Sequence, residues 1–299
     1  MTLVTLPELL AEARRQRYAV GYFEAWDIYG LEAVVAAAQA ERSPVIIGIG
    51  GLTANHEWLG TQGIALYGAA AATLARSATV PAAAMYNEAD SLKEACSAIG
   101  AGFNTVMMVG QGLPWERLVQ ATVTLTTEAH RAGVAVEGEF DELAEMRDGV
   151  VRERTATSTE VGRAVEFVAR TNVDCLAVAV GSVHFVTGGF APTLELGLIR
   201  ELADAVAVPL VLHGGSGVPA DQLRAAVDAG ISKVNFGTRL KQVFDVGLRN
   251  ALAEAGSDVN RTYGSRLPGD AMTAAAQALT EEVRRYMQIL GSSGRIARG

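Results

Sequence analysis

Two histidines, His184 in "GSVHF" and His213 in "LHGGSG", close apolar runs, and several other runs end in carboxylates: Glu24, Glu88, Glu137 and Glu139. Two imidazoles and a carboxylate brought together can hold a divalent cation. His2Glu is a catalytic zinc set, and two histidines with one carboxylate also suit other transition metals. The alternative use of each histidine is a hydrogen-bonded structural group. His213 also opens "HGGSG" (213–217). Adjacent glycines let backbone N–H groups approach an anion and Ser216 adds a hydroxyl, although tight turns need glycine too. "NFGTRLK" (235–241) is a second such stretch, where a strand gives way to a helix. The other two histidines, His56 and His130, fall in a loop and a helix and read as surface or packing residues.

These groups need elements that bring them to one place. Eight apolar runs occur in series: 18–23, 44–50, 80–86, 103–110, 133–140, 173–181, 208–214 and 231–237. Each is continuously apolar, as in parallel strands covered on both faces. Helical patterns lie between them, for example at 29–41, 90–102 and 220–230. Eight strand–helix units predict a (β/α)8 TIM barrel in a single domain spanning 1–299, since doubly wound sheets more often have five or six strands. In such a barrel the site is built at the C-terminal strand ends, and phosphate often sits on the loops after strands seven and eight. Those ends carry Glu24, Trp26 and Asp27; Asn87 and Glu88; Ser182 and His184; His213; and Asn235 and Thr238. The charged stretch at 141–165 reads as a long loop, a lid or a subunit contact, and 240–299 as extra C-terminal helices.

Composition narrows the partners. The 299 residues carry a net charge of −8, which argues against binding a phosphate backbone. No apolar run is long enough for a membrane span, and the opening "MTLVTLPELLAEARRQRY" lacks the pattern of a signal peptide. A cytoplasmic protein is expected, with Cys96 and Cys175 as buried thiols.

Three stretches, "VDCLAVAVGSVHF", "VPLVLHGGSGVP" and "ISKVNFGTRLK", resemble the metal-dependent (class II) ketose-bisphosphate aldolases. The opening strand–helix–strand and the closing "LTEEVRRYMQILGSSGRI" are similar to theirs as well. The resemblance implies metal ligation by His184 and His213, a phosphate loop at Gly214, Gly215 and Ser216, and substrate or phosphate contacts from Asn235, Gly237 and Thr238. It also implies a homodimer or homotetramer acting on a sugar phosphate.

The third strand departs from the family's H-x-D-H. Here Met85-Tyr86-Asn87-Glu88 puts Glu88 on the metal ligand and Asn87 on the acid/base aspartate. A carboxylate ligand keeps Zn2+ first and gives weight to Mn2+, Co2+ or Mg2+. An amide cannot exchange a proton near neutral pH, so Glu24 or Glu139 becomes the candidate acid/base, with Asp27 and Tyr86 as lesser ones. Phe185 replaces a family glycine, Val109 and Gly237 replace aspartates, and Trp26 adds bulk, all of which point to a reshaped, less charged pocket. The expected function is a metal-dependent carbon–carbon lyase for a phosphorylated ketose or keto-acid, working through an enediolate and inefficient on fructose 1,6-bisphosphate. An isomerase or epimerase using the same chemistry, or a non-catalytic binding protein, are the alternatives. Schiff-base chemistry is set aside, because none of the three lysines, Lys93, Lys233 and Lys241, ends the sixth strand.

Overall fold

The computed structural model describes residues 2–297 apart from 53, 111, 142, 148–149, 153–157 and 187–189. Eight parallel strands form a closed barrel: β1 (Val20–Glu24), β2 (Val45–Gly50), β3 (Ala82–Ala89), β4 (Thr105–Met108), β5 (Ala135–Gly138), β8 (Cys175–Ala177), β10 (Leu210–Leu212) and β11 (Ile231–Phe236). β1 closes the ring against β11, pairing Tyr22 with Asn235. The (β/α)8 expectation holds, and each apolar run contains or overlaps one barrel strand. The runs are continuous because both faces are buried. One set of side chains, including Tyr22, Ile46, Met85, Met107 and Val211, packs together within the barrel. The other set, including Phe23, Ile47, Val106 and Phe236, packs against the helices.

The charged connection expected to be a loop carries structure. β6 (Ala144–Arg147) and β7 (Val150–Arg152) form an antiparallel hairpin, and β9 (Val183–His184) adds to it in parallel. Its core is Met146 packed with Val183 and Val186. The sixth apolar run therefore divides. Only Cys175–Ala177 stays in the barrel, and His184 is carried on the small sheet beyond it. Parts of 141–165 lie outside the described residues.

Both termini wrap the barrel. The helix Leu6–Gln16, capped by Thr5, packs Leu6, Leu9 and Leu10 against Val20, Ala135 and Cys175 at the strand beginnings. The helix Ala271–Leu290 packs on the helices Ile28–Glu41 and Thr238–Ala253. The segment after it donates Gly294 N to the Glu41 carbonyl. Among the described residues no helix is long and apolar enough to cross a membrane. Cys175 is buried, but Cys96 is only half-buried because its helix lies on the outer layer.

One charged pair sits inside the barrel. Lys233 on β11 and Glu137 on β5, both with fully buried side chains, meet at 2.7 Å. Breaking a buried pair leaves an uncompensated charge. Lys233→Met should therefore lower the unfolding free energy by about 3–5 kcal/mol in urea denaturation. A loss below about 1 kcal/mol would show that the pair does not hold the interior together.

Candidate active site

The stretch after β3 decides where Glu88 goes. The β3–β4 register breaks between Tyr86 and Ala89, and Glu88 takes φ 56°, left-handed for a residue with a side chain. Such backbone is uncommon and costs about 1–3 kcal/mol. The same device recurs beside both histidines: Phe185 after His184 has φ 56°, and Gly214 after His213 has φ 70°. At Gly214 only glycine fits, because a Cβ there would lie 2.7 Å from the Val183 carbonyl oxygen. That close approach brings β9, and with it His184, against the end of β10.

The result is convergence. One ligand atom each from Glu88, His184 and His213 lies within 4.8 Å of the others. Glu88 Oε1 is 3.4 Å from His213 Nδ1, and the two imidazoles stack 5.8 Å apart at 14°. His184 Nε2 and His213 Nδ1 are buried, with no hydrogen-bond partner among the described residues. Buried polar atoms are normally satisfied. Two bare imidazole nitrogens facing a carboxylate fit a divalent cation, whereas a purely structural histidine would have found a partner.

Behind His213 stands a support reaching across the barrel. Its Nε2 donates to Glu137 Oε1 at 2.7 Å, leaving Nδ1 to face Glu88. Glu137 Oε2 takes Lys233 Nζ, which also donates to Asn235 Oδ1 at 2.5 Å. Burial would raise the Glu137 carboxyl, but Lys233 and His213 hold it down at about 2. Burial opposes the charged form of His213, yet the nearby carboxylates of Glu137 and Glu88 push it up to about 10. His184 is lowered, chiefly by burial, with the Glu88 and Glu145 charges opposing. Glu139, 3.9 Å from His213 Nδ1, is pushed by burial up to about 8. Glu24 is also raised by burial, although Lys241 Nζ donates to it at 2.7 Å.

Most of the residues expected from the sequence share one cavity. Glu24, Asn87, Glu88, His184, Gly214, Ser216, Asn235, Gly237 and Thr238 line it. Gly215 is buried in the turn, and Glu139 reaches the cluster through His213. The turn Gly215–Gly217 faces the start of the helix Thr238–Ala253, and Ser216 Oγ accepts from Gly237 N at 3.1 Å. Backbone N–H groups and a helix N-terminus together suit a phosphate. Asn87 Oδ1 is buried without a partner among the described residues.

Asp27 and Tyr86 are not brought in. Asp27 caps the helix Ile28–Glu41 through Gly30 N, and Tyr86 donates to Glu94 at 2.5 Å on the outer side of the barrel wall. His56 and His130 pair with Glu94 and Asp174. The supporting roles of Glu137, Lys233 and Lys241 were missed, as was Tyr22, whose buried hydroxyl also lines the cavity. The period-two spacing of Glu137 with Glu139, and of Lys233 with Asn235, was the available signal: alternate residues of a strand share a face.

Comparison with known proteins agrees. The family model "Fructose-bisphosphate aldolase class-II" matches residues 4–295. Fructose-bisphosphate aldolase of Geobacillus stearothermophilus is 33% identical over 99% of this chain and 100% of its own. The 6-phospho-5-dehydro-2-deoxy-D-gluconate aldolase of Bacillus subtilis is 33% identical over 100% of this chain and 99% of its own. Among solved structures, the YdjI aldolase of Escherichia coli K12 superposes with a TM-score of 0.80 at 25% identity, covering 99% of this chain and 100% of that one. Full-length agreement in sequence and fold makes the chain a lyase of the aldolase type, and it belongs to the class II fructose-bisphosphate aldolase family.

Proposed function

We propose that the protein is a metal-dependent aldolase for a phosphorylated ketose or keto-acid, and that it handles fructose 1,6-bisphosphate poorly. The observation that carries this is the pair of unpartnered imidazole nitrogens, His184 Nε2 and His213 Nδ1, beside the Glu88 carboxylate and in one cavity with the glycine turn. Glu88, His184 and His213 would hold the ion, Zn2+ first, with Mn2+, Co2+ or Mg2+ as alternatives suited to a carboxylate ligand. When bound, a divalent ion supplies Lewis-acid stabilisation of the negative charge that develops on the substrate carbonyl in forming an enediolate.

The remaining work falls to side chains. Glycines 214 and 215, Ser216, Asn235, Gly237 and Thr238 fix the phosphate and so orient the ketone. Asn87, with an amide where the family resemblance leads one to expect an acid, donates a hydrogen bond to a substrate oxygen but moves no proton. Proton transfer passes to Glu24, partly buried, or Glu139, buried, both carboxyls near the cluster. Val109, Phe185 and Trp26 take space or remove charge, which supports a substrate other than fructose 1,6-bisphosphate. A homodimer or homotetramer is supported by exposed Val246, Leu252, Val259, Tyr263 and Leu267 in the C-terminal segment.

Metal analysis after dialysis against Zn2+ should find less ion in Glu88→Ala, His184→Ala and His213→Ala than in the wild type. Full occupancy of Glu88→Ala would remove Glu88 from the ligand set. Glu137→Gln should weaken metal affinity by about 10- to 100-fold, the usual cost of losing the carboxylate behind a ligating histidine. Metal-loaded protein should release an aldehyde from one or more members of a ketose phosphate panel. Asn87→Asp should raise cleavage of fructose 1,6-bisphosphate, up to the roughly 100-fold or more that a general acid–base group contributes. An unchanged rate, also with Glu88→His added, would assign the poor activity to the pocket instead.

A further inference from the structure

A second cavity, of about 300 Å3, adjoins the candidate active site. Trp26, Trp58, Tyr67, Leu59, Glu24 and Lys241 are among its walls, and Glu24 lines both cavities. Its rings are held in place. Trp26 meets Phe244 edge to face at 5.3 Å, Trp58 meets Tyr67 edge to face at 5.6 Å, and the Tyr67 hydroxyl donates to the Trp26 carbonyl. Trp58 leads into a π-helical turn, Leu59–Gly63, an irregularity frequent at functional sites. Gly63 makes room for the indole, whose Cζ3 would lie 2.5 Å from a Cβ at that position. Rings already fixed lose little rotamer freedom when a ligand arrives.

The charge of the walls selects the ligand. Among the described lining residues Lys241 is the one cation, and its ammonium is engaged by Glu24 at 2.7 Å. A second phosphate entering here would meet aromatic carbon, the Glu24 carboxyl and a single ammonium already paired with that carboxyl. An alkyl or aryl group would instead bury apolar surface against indole and phenol rings. Resting on the aldolase reading, we propose that this cavity is the subsite for the far, aldehyde-side end of the substrate, and that it takes an uncharged apolar group in place of a second phosphate.

Calorimetric titration with 3-phenylpropan-1-ol should show saturable binding, weakened about tenfold or more by Trp58→Ala, the scale on which apolar pockets discriminate. Ala54→Leu fills the cavity while keeping every ring, and should weaken binding likewise even if Trp58→Ala fails to fold. In the synthetic direction, metal-loaded protein supplied with dihydroxyacetone phosphate should favour 3-phenylpropanal over glyceraldehyde 3-phosphate in kcat/KM. That ratio should fall about tenfold in both variants. No saturable binding, binding that neither substitution alters, or preference for the phosphorylated aldehyde overturns the subsite. Binding that behaves as expected with no turnover of any aldehyde supports the subsite and overturns the aldolase reading.

Discussion

The buried contact between Glu137 and Lys233 is the constraint on which the site rests. A carboxylate in a closed, apolar barrel would ordinarily take up a proton. Lys233, at 2.7 Å, keeps it ionised, and only an ionised Glu137 holds the His213 Nε2 proton strongly. That bond sets the imidazole's orientation and tautomer and aims Nδ1 at Glu88. The ammonium and the imidazole thus compete for one carboxylate and are both satisfied by it, one at each oxygen. Asn235 closes the group by accepting from the same ammonium, so a residue at the end of β11 is tied to one on β5 across the barrel.

Around this rigid interior the backbone supplies the reach. Glu88, Phe185 and Gly214 take left-handed conformations, one at a member of the cluster and two directly after His184 and His213, so the chain turns at each of the three places. Strain of this kind persists only where the surrounding structure over-determines it. Eight paired strands and two layers of buried side chains do so here. The short sheet of β6, β7 and β9 serves the same end, since it is β9 that delivers His184.

The barrel was legible because its strands are buried on both faces and so read as unbroken apolar runs. The histidines and Glu88 were legible because their types are rare at such places and fall on a family pattern. The β6–β7 hairpin was not, since a core of three side chains leaves almost no periodic trace in a charged stretch. Nor does any residue type announce the left-handed turns at Glu88 and Phe185, which tertiary contacts impose. Lys233 was read only as excluding Schiff-base chemistry. Its place two residues before Asn235 put it on the inner face and called for a counter-charge, which Glu137 supplies.

The way the last helix covers the first units bears on synthesis. β1 finds its neighbour in β11, and the helix Ile28–Glu41 is packed by Ala271–Leu290. Contacts so distant along the chain form slowly, because a long loop must close before they contribute. On the ribosome the opening βαβ segment therefore waits, with apolar faces uncovered, until nearly the whole polypeptide has emerged. Apolar surface left uncovered in that interval is the kind that makes partly folded chains prone to aggregate.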